Sequence, residues 1–219
     1  MHIIRGNGKL TRTDEFKKVL SYNLGNFFLS QSFRDKRATE IVEVLEEALR
    51  NVDKHSLIAD FGAGSGEIAA EIIMRKKCTV YCIDPYVQAS AEVEAKADDK
   101  IIWIETDALK TAIAPRYPQI ALSCYFLQTL DGDGKIAALK EMKRIARDEI
   151  IVIDEVPHGA LSLIDTAIHY GLNVLGKGGY EIYNEEEWIE LFRKAGLEVA
   201  GKTKKFGRNN VVFVLKRMD

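Results

Sequence analysis

The sequence predicts an α/β fold: a seven-stranded, mostly parallel sheet with an antiparallel hairpin at its C-terminal end and helices on both faces. Three observations carry the prediction. Short apolar runs alternate with amphipathic stretches from residue 57 to residue 154, the pattern of successive βα units. The first run ends in a glycine cluster, Gly62-Ala63-Gly64-Ser65-Gly66, placed between a strand and a helix. The last two apolar runs flank Gly207-Arg208-Asn209-Asn210, a turn sequence suited to a hairpin.

Residues 1–50 read as a helical cap and residues 51–219 as the main domain of a single-domain protein. A short helix opens at Thr13-Asp14-Glu15, with Phe16, Val19 and Leu20 on one face. A longer one runs from about Asp35 to Arg50 and sets Ile41, Val44, Leu45, Ala48 and Leu49 at helical spacing. Five strands follow at 57–61, 78–83, 101–105, 120–125 and 150–154, separated by helical stretches, of which 135–147 is the clearest. Residues 160–175 read as an apolar helix, which could also form a homodimer contact. Asn184 is a helix N-cap, and Glu185, Glu186 and Glu187 suit the positive end of the helix dipole. That helix ends near Gly196, and the last strands are about 197–204 and 211–216.

Composition narrows the function classes. The chain has 47% hydrophobic residues, enough for a sizeable core and too many for a disordered chain. Lys+Arg 31 against Asp+Glu 33 gives a formal charge of −2, which argues against nucleic acid as the partner. Three cysteines do not build a disulfide framework and point to a reducing, cytoplasmic setting. No apolar run approaches the length of a membrane span, and the N-terminus lacks the apolar core of a secretory signal.

The chemistry concentrates around the glycine loop. Asp60-Phe61-Gly62-Ala63-Gly64-Ser65-Gly66-Glu67 departs from the dinucleotide fingerprint, because Glu67 stands where the third glycine belongs. It is not a phosphate loop either, since no Gly-Lys-Ser/Thr follows. Acids beside the loop would repel a pyrophosphate and suit a cationic ligand. Asp84 ends the second strand, where a carboxylate can accept both hydroxyls of a ribose; a turn Asp before Pro85 is its structural alternative. Asp107, after the third strand, can take the amino group of an adenine or cap a helix.

Taken in order, IADFGAGSG at 58–66, VYCID at 80–84, TDA at 106–108, IALSCYFLQTL at 120–130, KEMKRIARDEIIVID at 140–154 and NEEEWIELFRKAGLEV at 184–199 resemble the class I S-adenosylmethionine-dependent methyltransferases. The resemblance covers about residues 55–217 and implies a Rossmann-like sheet and S-adenosyl-L-methionine as cofactor. It implies that Gly62, Ala63 and Gly64 pack on the methionine and ribose parts and that Asp60 lies near the amino group. It assigns Asp84 to the ribose, Asp107 with Ala108 to the adenine, and Ser123 to the methionine moiety. Tyr22 would lie on an N-terminal segment that closes over the cofactor, or else simply packs a helix.

The stretch YGLNVLGKGGYEIYNEEEW is similar to small-molecule O-methyltransferases and ubiquinone-type methyltransferases. The implied activity is methyl transfer to a small molecule, with oxygen favoured over nitrogen or carbon. Methylation of a protein side chain or RNA, and an inactive scaffold of the same fold, are the alternatives. One O-methyltransferase group places a base histidine just after its fourth strand; Gln128 stands there in this chain. That group also carries a large N-terminal dimerisation domain, whereas 57 residues precede Ile58. The other candidates for a catalytic or substrate role are His158, Tyr125 and His169.

Four further signals have simpler readings. Asp84-Pro85-Tyr86 lacks a proline of the amino-methyltransferase motif and follows the wrong strand. Asp131-Gly132-Asp133-Gly134 lacks the rest of a calcium loop and reads as a solvated turn. Cys78 and Cys82 have no Cys/His cluster to join, so no metal site is expected. Lys202, Lys204, Lys205 and Arg208 read as a solvated strand edge, with an RNA or acidic-protein contact as the alternative.

Overall fold

The computed structural model describes residues 2–5, 31–86, 90–156, 183–206 and 210–218. These form one sheet with helices on both faces. Strands β1 His2–Arg5, β2 Leu57–Phe61, β3 Thr79–Asp84, β4 Ile101–Glu105, β5 Ile120–Cys124, β6 Glu149–Glu155, β7 Leu197–Phe206 and β8 Asn210–Arg217 stand in the order β1-β4-β3-β2-β5-β6-β8-β7. The described helices are α1 Gln31–Leu45, α2 Glu67–Lys76, α3 Ala91–Ala97, α4 Gly132–Ile145 and α5 Glu185–Lys194.

The first six strands run parallel, and β8 pairs antiparallel with both β6 and β7. The chain builds outward from β2 through β3 and β4, then returns to place β5 and β6 on the other side. The crevice between β2 and β5, at the carboxyl ends of the strands, is therefore the topological switch point, where open α/β sheets bind ligands.

Apolar cores fill both faces. On one, α4 and α5 cover Ala59, Phe61, Ala121, Val152 and Phe213, with Trp188 and Phe192 of α5 stacked at 5.6 Å. On the other, α1, α2 and α3 cover Ile58, Val80, Cys82, Leu122 and Ile151. Near-continuous burial along β2, β5 and β6 is what a parallel sheet sandwiched between helices requires.

The architecture differs from the sequence expectation in three places. The sheet has eight strands, because His2–Arg5 pairs with β4 from His2↔Ile102 to Arg5↔Glu105 inside the segment read as a helical cap. Four residues with no alternating pattern, paired to a strand far along the chain, leave no local signal. The first described helix begins at Gln31 and ends at Leu45, with Leu49 still buried in the turns beyond it. Asp131-Gly132-Asp133-Gly134 is a helix start rather than a free turn: the Asp131 carboxylate accepts the Gly134 N–H at 2.8 Å and caps α4. The helices read at 13–20 and 160–175 and residues 207–209 of the hairpin turn lie outside the described residues.

The Asn184 N-cap predicted from the sequence is present, and with Glu187 it forms a capping box at the start of α5. Asn184 Oδ1 accepts from Glu187 N at 3.0 Å, and Glu187 Oε2 accepts from Asn184 N at 2.7 Å.

Candidate functional site

The glycine loop crosses the end of β3 and feeds α2. Gly62 N and Ala63 N donate to the Ile83 carbonyl at 2.8 and 3.3 Å, and Gly64 N donates to Asp84 Oδ2 at 3.0 Å. Two glycines are required by the geometry. Gly62 has φ +68°, and a Cβ there would lie 2.5 Å from the Phe126 ring; Gly66 has φ +86°, and its Cβ would lie 2.8 Å from the Trp103 indole. The loop can thus run close against the strand ends and lead into α2.

Two acids stand under the loop on the same sheet face. Asp60 is opposite Cys82, and Asp84 lies two residues further along β3. Asp84 uses both oxygens, accepting from Gly64 N and from Tyr86 N at 2.9 Å. Asp60 is 2% exposed; burial, reinforced by the Asp84 carboxylate, pushes it up to about 8. At neutral pH it therefore holds its proton until a cation arrives. Asp107 follows β4 at the same end of the sheet; it is exposed, and its carboxylate accepts Leu109 N at 2.9 Å in a local turn, with no helix after it. Ala108 beside it is buried.

Glu67, the residue that breaks the dinucleotide pattern, is tied back. Its Oε1 lies 3.0 Å from Arg34 Nε, and its Oε2 accepts from the Ser65 hydroxyl at 2.5 Å. Arg34 belongs to α1. One turn further, Arg37 stacks on Tyr125, its guanidinium 4.6 Å from the ring centroid. Tyr125 sits immediately after β5 at φ +57°, a conformation uncommon for a bulky residue, and its N–H donates to the Ile153 carbonyl at 2.9 Å. Burial pushes its phenol up to about 12, with Arg37 pulling the other way.

Ser123 stands near the end of β5. It pairs with Phe61, so it shares the face opposite Asp60 and Asp84, and its hydroxyl is fully buried with no partner among the described residues. Behind it, Asp154 is fully buried at the end of β6 and accepts Gln128 N at 3.2 Å and Glu155 N at 2.9 Å. Burial pushes Asp154 up to about 7 against those two bonds. Buried Lys135, from the first turn of α4, bonds the Leu130 carbonyl and lies 4.7 Å from the Tyr183 ring centroid. Together Asp154 and Lys135 hold the 125–130 loop from beneath. Gln128 is half-buried, and its amide cannot serve as a base.

Tyr22, His158 and His169 lie outside the described residues. The structure thus brings together Asp60, the glycine loop, Asp84 and Tyr125, with Asp107 and Ala108 on the adjoining strand end. Sequence reasoning missed Arg34, Arg37 and Asp154. An acid closing the fifth apolar run was the one visible hint for Asp154, and nothing local marks the two arginines.

A family model described as a methyltransferase domain matches residues 59–153. Among curated proteins none matches the chain. Solved structures share the fold at low identity. The mitomycin 7-O-methyltransferase MmcR is 16% identical with a TM-score of 0.66, over 94% of this chain and 57% of that one. TnmH is 16% identical with a TM-score of 0.68, over 92% of this chain and 61% of that one. Geranyl diphosphate C-methyltransferase from Streptomyces coelicolor A3(2), in complex with Mg2+, geranyl-S-thiolodiphosphate and S-adenosyl-L-homocysteine, is 12% identical with a TM-score of 0.64, over 85% of this chain and 77% of that one. The chain spans less than two thirds of the length of the first two. This chain thus shares a Rossmann-like methyltransferase fold with these structures, and a family model described as a methyltransferase domain matches it over residues 59–153.

Proposed function

We propose that this protein is an S-adenosylmethionine-dependent methyltransferase acting on a small molecule, with oxygen as the acceptor atom. The observation that carries the reading is the pair of buried acids under the glycine loop, Asp60 and Asp84. An acid held neutral by burial is suited to a ligand that brings its own positive charge, and a carboxylate fixed by two backbone N–H groups still has lone pairs for ribose hydroxyls. Bound at the switch point, the cofactor would supply an activated methyl on a sulfonium.

The chain's own residues then have limited work. The glycine loop and Asp84 orient one end of the cleft, Asp60 takes up negative charge there by losing its proton, and the 125–130 loop fixes the other side. Gln128 removes no proton, so this reading pairs with an acceptor oxygen that is already ionised or that loses its proton elsewhere. Oxygen is favoured by the resemblance to small-molecule O-methyltransferases and by MmcR, named a 7-O-methyltransferase.

Calorimetric titration with S-adenosylmethionine and with S-adenosylhomocysteine tests the reading. Micromolar binding of either is expected. Absence of binding to both refutes it and leaves a scaffold of the same fold.

A further inference from the structure

We propose that this protein pairs with a second copy of itself, the basic end of strand β7 in one copy docking into an acidic groove between α4 and α5 of the other. Neither patch includes a residue of the proposed cofactor cleft, so the pairing and the methyltransferase reading stand or fall separately.

The groove has the make-up of a docking surface. It holds about 460 Å³ between the start of α4 and the length of α5. Half-buried Ile136 and Tyr183 and buried Leu191 give it apolar lining, and exposed Asp133, Glu186 and Glu190 stand along it. Lys194 is the one cation among the described residues that line it. Among the described residues Asp133 and Glu186 have no basic partner, and Glu190 has only Arg193 at 4.0 Å. Asp133 and Glu186 suit the helix N-termini on which they stand, but Glu190 lies a turn further along α5, where the dipole does not call for an acid.

The complementary segment is in the same chain. Lys202-Thr203-Lys204-Lys205-Phe206 closes β7, and β7 is the last strand of the sheet. Lysines on an edge strand repel a second copy of that same edge, which disfavours β7-to-β7 pairing. They suit a surface of acids instead, and Phe206 supplies an apolar group for the apolar lining.

The two patches stand at one end of the molecule. Phe206 and Glu155 are both opposite Asn210 in the sheet, and Trp188 Nε1 of α5 donates to the Glu155 carbonyl at 3.4 Å. The start of α5 is therefore level with the end of β7. Opposite charges side by side at one end are self-complementary. A two-fold axis brings each groove to the other copy's β7 and closes the pair.

Sedimentation velocity on the full chain tests this across protein concentrations, at about 0.05 and about 0.5 M NaCl. A dimer at low salt is expected, with a dissociation constant at least tenfold higher at high salt. Glu186→Lys with Glu190→Lys reverses the groove, and Lys204→Glu with Lys205→Glu reverses the strand end. Each reversed protein alone should be monomeric. An equimolar mixture of the two should recover the dimer, because the basic groove then meets the acidic strand end and the acidic groove meets the basic one. A misfolded variant could not give that recovery. Where reversal costs the fold, Glu186→Gln with Glu190→Gln should still weaken the dimer at least tenfold.

A chain that stays monomeric at low salt overturns the inference. So does a dimer that either reversed protein keeps, a Gln variant with an unchanged dissociation constant, or reversed monomers that melt like wild type and stay apart when mixed. A monomer that binds a synthetic peptide of alternating lysine and leucine, and loses it in Glu186→Lys with Glu190→Lys, assigns the groove to a foreign basic segment and overturns the second copy as its occupant.

Discussion

Asp60→Asn should make the protein more stable with rising pH relative to wild type while weakening its hold on a cationic ligand. In the unfolded chain Asp60 ionises near 3.8, and in the folded protein burial and the neighbouring Asp84 push it up to about 8. Between these values the unfolded state releases a proton that the folded state keeps. The wild-type fold therefore loses stability as pH rises through this window, by at most about 1.4 kcal/mol per pH unit. Asparagine is isosteric and does not titrate, so it lacks this slope. Any fixed cost of the new amide N–H groups in a buried site is independent of pH and cancels in the comparison. Urea unfolding of both proteins at pH 5, 6, 7 and 8 should show the stability difference, variant minus wild type, growing by about 2–3 kcal/mol from pH 5 to pH 7 and levelling above pH 8. Parallel profiles would mean that Asp60 ionises normally in the fold, and the argument for a cation-accepting acid would fail with them.

Other perturbations probe the frame around that acid. Gly62→Ala forces a side chain into the left-handed region and onto the Phe126 ring 2.5 Å away, and should cost at least about 2 kcal/mol in urea unfolding; a neutral result would show that the loop relaxes freely. Asp84→Asn leaves one acceptor oxygen for the Gly64 and Tyr86 N–H groups, and should lower S-adenosylhomocysteine affinity at least tenfold with the circular dichroism spectrum unchanged; equal affinity by calorimetry would remove Asp84 from the site. Glu141 is a structural control on α4: burial alone would push its carboxyl up, but Arg144 and the Thr111 hydroxyl and N–H, both at 2.7 Å, more than offset it. Glu141→Ala strands those donors and should cost about 3 kcal/mol of stability, without changing the affinity of the folded protein for nucleosides. Binding of S-adenosylmethionine near pH 7 should release a proton as Asp60 ionises, detected as calorimetric heats that differ between buffers of different ionisation enthalpy; identical heats in phosphate and Tris would contradict it.

Most of the fold was legible because buried parallel strands leave a local signature. The apolar runs at 57–61 and 101–105 coincide with β2 and β4, and the others match within a few residues. Glycines at positive φ and acids at strand ends are also local features, which is why Gly62, Gly64, Asp60 and Asp84 could be read directly. What escaped depends on contacts between distant segments. The β1 strand exists through pairing with β4. The face on which Ser123 lies is set by its pairing with Phe61 rather than with Asp60, because one residue of register exchanges the two faces. Tyr125 gave no sign of positive φ, since the residue is an aromatic rather than the glycine or asparagine that usually marks such a turn. Arg37 became visible only when α1 was seated on the strand ends.

The charges of the cleft make sense as a set. Glu67 is paired with Arg34, Asp84 is occupied by two backbone N–H groups, and Asp60 is protonated at neutral pH, so the acids under the loop carry less negative charge at rest than their number suggests. A cleft with three ionised, unpaired acids would repel itself and destabilise the strand ends; this one develops charge at Asp60 when a positive group arrives to stabilise it. The Asp60 end alone would favour simple cations as well. Arg37, over the Tyr125 ring at the β5 side, adds a positive charge near the crevice, and the Arg34–Glu67 and Asp35–Lys96 pairs hold its helix against α2 and α3.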